Sequence, residues 1–439
     1  MKKHLCLGGF MRPICLHTAW WRHPSAPAHA NFHWPTIKYL AQKLEHACFD
    51  AIFTADHLAL MPMPPAALRR SATVTSYDPL VMLSAIAACT EHIGLIATGS
   101  TSYEDPYLLA RRFASLDHLS NGRAGWNIVT TVNPQAAHNF GLDTALRHGE
   151  RYARAEEFFK VATGLWDGWS DNALVMDKES GIFSDLDKIQ PLNHQGDFFS
   201  VQGPLNIARP VQGWPVIALA GASEGAREMA ARSADLVFGN ARSLETGQQF
   251  YRDVKNRARA WGRDPSAIKI LPANQVYVGA THAEALAKKR YMDNLVHIES
   301  NIPNLSIRLG VDCSKFDPDK LLPDLPTTEQ GQGNQREWVA LARREKLTVR
   351  ELAKRAAESG TGEMVGTPTE IADQMEAWLM GEACDGFIIV FHTVPDGYED
   401  FTTLVVPELQ RRGLMRTQYT GNTLRENIGL PRPNSHLDK

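Results

Sequence analysis

Short apolar, β-branched runs alternate along this chain with longer stretches whose apolar residues recur every three or four positions. That is the pattern of βα units around a parallel sheet. Eight runs read as strands: HLCLGGF (4–10), DAIFTAD (50–56), IGLIATGS (93–100), AGWNIVTT (124–131), PVIALAG (215–221), DLVFGNA (235–241), IKILPANQVYVG (268–279) and DGFIIVF (385–391). Helical periods begin near Trp34, Asp78, Pro106, His148, Ser223, Leu244, His282 and Thr367. Two carry clear start signals, Asp78 before Pro79 and Thr367 before Pro368. Eight alternations predict a closed (β/α)8 TIM barrel rather than an open doubly wound sheet, with the chemistry at the C-terminal ends of the strands.

Two segments exceed the repeat: 170–214, rich in Asp, Asn, Gln and Gly, and 300–363, which holds the polar tract TTEQGQGNQRE. Long segments of this kind in a barrel are lids, docking surfaces or disordered stretches. Residues 1–439 therefore read as one barrel domain with insertions at about 170–214 and 300–363 and a C-terminal extension at about 414–439. The extension is polar and contains proline, and is expected to wrap the surface or fray.

Composition narrows the function classes. Lys plus Arg is 46 against 49 for Asp plus Glu, a net charge of -3. Nothing in that balance attracts nucleic acid or an anionic membrane. The six cysteines are scattered, without a CxxC pair or a Cys/His spacing suited to zinc, so reduced thiols and no metal are expected. The opening MKKHLCLGGFM does not read as a secretory signal, and no run of about 18 apolar residues occurs, so the expectation is a soluble, cytoplasmic protein.

Four blocks carry candidate chemistry. In FTADHL, Asp56 ends the second strand, where its carboxylate either accepts from a ligand N–H or caps the next loop. In ATGSTSYEDPYLLARRFASLDHLSNGRAGWNIVTT, Thr98, Ser100, Thr101 and Ser102 form a hydroxyl-rich loop, and Asn127 sits inside the fourth strand. A buried Asn is costly unless its amide is satisfied, by a ligand or by a neighbouring strand end. In ALAGASEGAREMAARSADLVFG, Ala222 and Ser223 open a helix whose N-terminal N–H groups suit an anion, although Ser is also an ordinary cap. In HGERYARAEEF, His148 and Tyr152 stand four apart on one helical face, as ligand donors or as a packed pair.

Together with WWRHP, AAHNFG, GTPTEIADQMEAW and VVPELQRRGLMRTQYTGNTLRENIGL, these blocks run in order through nearly the whole chain. The chain resembles the bacterial-luciferase superfamily, in particular the nitrilotriacetate and dibenzothiophene-sulfone monooxygenase component A branch. The resemblance implies a two-component flavin-dependent monooxygenase, homodimeric or homotetrameric. Its FMN would arrive reduced from a separate NAD(P)H-dependent flavin reductase. With O2 it would oxygenate a small organic substrate through a flavin C4a-(hydro)peroxide, leaving C–N, C–S or C–halogen cleavage open as outcomes. Asp56 then faces the ring edge; Thr98, Ser102 and Asn127 contact ring or ribityl; His148, Tyr152, Ala222 and Ser223 contact ribityl and phosphate. Two alternatives stay open, a deazaflavin-dependent oxidoreductase and a flavin-binding protein without turnover.

Imidazoles near such a flavin would control protonation, since their ordinary pKa lies near working pH. His17 in CLHTAWWRHP and His138 in AAHNFG are the catalytic candidates. Branch members often carry Arg at the position of His138. Trp20 and Trp21 would wall the flavin or substrate, or simply pack the first loop. His392, after the eighth strand, and His297, in NLVHIES, are candidate substrate contacts, His297 reading otherwise as a helix-surface residue.

Overall fold

All eight expected runs form strands in the computed structural model, which describes residues 4–11, 14–61, 63–131, 133–221, 223–239, 241–325, 332–357, 361–435 and 437. In chain order they are β1 (Cys6–Phe10), β2 (Ala51–Thr54), β3 (Gly94–Ser100), β4 (Ala124–Val129), β5 (Val216–Ala220), β6 (Leu236–Gly239) and β7 (Lys269–Val278). A short β8 (Gly362–Gly366) follows, then β9 (Gly386–Phe391). Every neighbouring pair is parallel. β9 pairs with β1 through Cys6↔Gly386, and β6 pairs with β7 through Leu236↔Lys269, so the barrel closes. β8 is not a stave. It lies along the far end of β7, Asn274↔Gly362 to Val278↔Gly366, after β7 has left β6.

Alternation within each buried strand divides the core in two. Phe10, Phe53, Ile96, Val216, Leu236, Leu271, Ile388 and Val390 fill the barrel. Leu7, Ile52, Leu95, Trp126, Ile217, Val237, Ile270 and Ile389 meet the surrounding helices. Strands buried on both faces must be apolar at nearly every position, which is why they stood out as runs. The two read start signals form as caps: the Asp78 carboxylate accepts from Val81 N–H, and Thr367 and Glu370 make a capping box.

Three expectations change in the structure. The stretch read as one helix from His282 ends at Leu295, and a new helix, Ile298–Leu309, begins after His297. The second insertion is not a loop. Helices Ile298–Leu309, Gln332–Glu345 and Val349–Ala357 bury their own core around Leu305, Leu309, Cys313, Ala342, Leu352 and Ala353. Part of the tract TTEQGQGNQRE, 327–331, lies outside the described residues.

The C-terminal extension also departs from expectation. Leu424, Ile428 and Leu430 enter the barrel's interior cluster and plug its N-terminal floor. Arg425, 3% exposed, donates to Asp235 Oδ2 at 2.7 Å and to the Trp214 and Pro215 carbonyls at the start of β5. Three apolar residues spaced among polar ones gave too little periodicity to be read as a plug. The first insertion carries two small antiparallel hairpins, Leu174–Asp177 with Ile182–Ser184 and His194–Gln195 with Ser200–Val201. Among the described residues no helix is long and apolar enough to cross a membrane.

Candidate active site at the barrel mouth

Parallel register sets Thr98 of β3 beside Asn127 of β4, both at the C-terminal end of the barrel. The Thr98 hydroxyl donates to the Thr54 carbonyl at 2.9 Å and accepts from Asn127 Nδ2 at 2.9 Å. Thr98 is thereby spent on orienting the amide. Asn127 Oδ1, in a residue 2% exposed, is left without a partner in the structure. The neighbouring-strand alternative thus accounts for one end of this amide and not for the other.

The hydroxyl-rich loop after β3 has a similar asymmetry. Ser100 is engaged with Thr131 through a 2.7 Å hydroxyl contact, and Thr101 shares Val129 O. Ser102 Oγ is buried with no partner, as are Tyr103 OH and Arg151 Nε. Tyr103 stacks on Phe140 at 5.0 Å between centroids. Tyr103 and Arg151 stood inside the quoted motifs but outside the expected set, because neither an aromatic nor an arginine signals a site until its polar atom is seen to lack a partner. Buried polar groups are otherwise almost always paired.

Beside this loop, β5 turns into the helix Glu224–Ser233 through Gly221, whose φ of +139° only glycine adopts without strain. Ser223 caps the helix, accepting from Ala226 N–H at 3.3 Å. Its hydroxyl also lies 3.1 Å from Tyr152 OH. Gly225 admits the Tyr152 ring, since a Cβ there would lie 3.2 Å from it. Two hydroxyls therefore meet at the positive end of a helix dipole, a seat suited to an anion. His148 opens the helix His148–Trp166, but its side chain lies outside the described residues, as does Ala222 altogether. Asp56 sits just past β2, half-buried, accepting from His57 N–H at 2.8 Å.

The histidines separate into two kinds. His17 lies in the first loop with a buried, unpartnered Nδ1, and burial pushes its pKa down to about 4, with Asp293 opposing the shift. His392 is 3% exposed, stacks on Tyr277 at 4.7 Å and has Nδ1 3.0 Å from Val276 O; burial lowers its pKa to about 4 as well. With its pKa lowered to about 4, the His17 ring is neutral near working pH, a hydrogen-bonding group and not a reservoir of positive charge.

His138 is exposed, with Nε2 3.1 Å from Asp143 O. Its helix, Pro134–Asn139, is tied to the loop after β2 by Asn133 to Leu60 O and Asn139 to Leu58 O, which keeps it at the mouth. His297 is the N-cap residue of its helix, 45% exposed and 3.7 Å from Glu299. Trp20 is fully buried under the first loop, packed in the core but with its Nε1 lacking a hydrogen-bond partner, and Trp21 donates to Arg70 O.

A polar cleft completes the mouth on the opposite side, where Leu16, His17 and Thr18 face Gln275 of β7 and the insertion helices. Lys289, Asp293, Lys354 and Glu363 bring charge into it. None of these was singled out from the sequence, since Lys289 and Asp293 on one helix are brought together with Lys354 and Glu363, much further along the chain, only by the fold.

Comparison with known proteins fits this geometry. Residues 15–383 match the family described as luciferase-like monooxygenase. The chain is 43% identical to nitrilotriacetate monooxygenase component A of Aminobacter aminovorans, over 100% of this chain and 99% of that protein. It is 41% identical to N-acetyl-S-(2-succino)cysteine monooxygenase of Bacillus subtilis, over 98% of each. The crystal structure of DmoA from Hyphomicrobium sulfonivorans superposes with a TM-score of 0.86 at 34% identity, covering 97% of this chain and 92% of that one.

Proposed function

This chain belongs to the luciferase-like monooxygenase family, and from that premise we propose that it is the oxygenase component of a two-component system, taking reduced FMN from a separate flavin reductase. The observation that carries the cofactor is the set of unpartnered buried polar atoms at one side of the mouth, Ser102 Oγ, Asn127 Oδ1 and Tyr103 OH, beside the Tyr152–Ser223 pair. Isolated polar atoms in a protein interior are costly, and a flavin with its ribityl chain and phosphate supplies donors and acceptors for them. FMN therefore fits the residues present. Ser223 and Tyr152 would hold the phosphate, Ser102 and Asn127 the ribityl or ring, and Asp56 the ring edge. The name of the Aminobacter relative, a component A, supports a partner reductase by analogy.

Reduced FMN supplies the activation of dioxygen and the two electrons that leave one oxygen atom in the product and the other in water. The chain's own groups do the rest. Thr98 fixes Asn127 in one orientation, so its carbonyl is preorganised towards the ligand. Neutral His17, on the first loop beside the cleft, would offer a hydrogen bond without adding charge. His138, on the exposed helix Pro134–Asn139, would be reachable from the mouth.

Fluorescence titration tests this reading. FMN should bind in both redox states, the deazaflavin cofactor should not, and Ser223→Ala and Tyr152→Phe should each weaken FMN binding by about 1–2 kcal/mol. Absence of FMN binding in either state overturns it.

A further inference from the structure

Across the mouth from the hydroxyl-rich loop, the cleft between the first loop, β7 and the insertion helices has a volume of about 160 Å³. That is room for roughly a dozen water-sized groups, a molecule of amino-acid size. Gln275 is 8% exposed, lines the cleft, and has Nε2 without a hydrogen-bond partner. Such a buried donor asks for an acceptor from whatever enters. Lys354 adds a cation. Its Nζ donates to Asn294 Oδ1 at 2.8 Å and joins no ion pair among the described residues.

The charges across the cleft are arranged the other way round. Lys289 is held by Asp293 at 3.0 Å and Glu363 at 3.4 Å, one cation between two carboxylates. Four carboxylate oxygens exceed what one ammonium can use, so acceptor capacity is left for a ligand N–H. The wall between is uncharged and mixed: Ser300 and Asn301 are buried with Asn304 beside them, and Leu16, Met63 and Val296 supply apolar surface. A molecule without hydrogen-bonding groups entering here would displace water from the polar side chains and replace none of its hydrogen bonds.

We propose that this cleft receives the substrate, and that the substrate is a small carboxylate bearing an N–H group, its carboxylate on Lys354 and Gln275 Nε2 and its N–H on Asp293 or Glu363. The inference rests on the monooxygenase reading above for the reaction but not for the binding. It separates this chain from relatives whose substrates lack ionised groups, and it puts specificity on Lys354 and Gln275, which come from the second insertion and from β7.

Calorimetric titration of the full-length protein, with and without saturating FMN, tests it with two probes that the cleft can hold: N-acetylalanine, a carboxylate with an amide N–H, and uncharged dimethyl sulfone. The carboxylate should bind more tightly. Lys354→Met and Gln275→Leu should each weaken it about tenfold or more, Lys354→Arg should retain most of the affinity, and FMN affinity should stay at the wild-type value in all three. Tighter binding of the sulfone, no binding of the carboxylate by protein that binds FMN, or unchanged affinity in Lys354→Met overturns the proposal. Failure to bind FMN with carboxylate binding intact instead removes the proposed function and leaves the cleft assignment standing.

Discussion

At the residue scale, the two buried histidines set a pH dependence whose sign follows from burial. His392 titrates at about 4 in the folded chain against 6.5 when unfolded, so between those values the unfolded chain binds the proton and the folded chain does not. Its contribution is present above pH 6.5 and is lost as pH falls towards 4, on the order of 3 kcal/mol in all. The groups facing it are His23, Lys288, Asp396 and Asp400 around the adjoining cavity and His17 from the first loop. In urea denaturation, wild type should lose more stability between pH 6.5 and 4.5 than His392→Gln, whose amide can still donate to Val276 O. Equal losses would remove His392 as the source. His17 shifts in the same direction and adds to the same window.

At the scale of elements, the second insertion is a helical subassembly with a core separate from the barrel's. Leu352 is fully buried there among Leu305, Leu309 and Cys313. Leu352→Ala should cost about 2–5 kcal/mol of local stability, because it removes buried methyl groups and leaves a cavity that its packed neighbours fill only in part. Hydrogen exchange should show faster opening of 298–309 and 349–357 with β1 to β7 unchanged, since the cluster does not extend into the barrel interior. Uniform acceleration throughout the chain would show instead that insertion and barrel unfold as one unit. Since Lys354 rides on one of these helices and Gln275 on β7, the same substitution should loosen carboxylate binding more than FMN binding.

At the scale of the molecule, the chain's two ends meet under the barrel. Leu5 N–H donates to Leu414 O, Arg416 pairs with Asp50 at the start of β2, and Arg425 joins Asp235 at the start of β6. A guanidinium buried this deeply is tolerable because four groups accept from it, Asp235 Oδ2 and the Trp214, Pro215 and Pro431 carbonyls, and deleting it leaves the Asp235 carboxylate without its ion-pair partner. Arg425→Met should therefore lower the stability of the whole chain by about 3–5 kcal/mol in urea unfolding, with the loss shared by every strand. A loss under 1 kcal/mol would show that the floor is held by Leu424, Ile428 and Leu430 alone.

The barrel was legible because strands buried on both faces must be apolar throughout while their helices are so on one stripe, and both periods are local properties of the chain. Asp78 and Thr367 were legible as caps for the same reason. The hydroxyl loop and Ser223 could be named from local motifs, but not that Thr98 is consumed in holding Asn127 while Ser102 remains unpaired. Partnering is decided across strands 29 residues apart or more. Nor could the neutral state of His17 be read, since a pKa depends on what surrounds a ring and a single sequence position says nothing of that. Local periodicity thus determined the fold and which segments reach the mouth. Only tertiary structure decided which polar atoms there are left for a ligand, because it alone brings β7, the first loop and the insertion helices around one cleft.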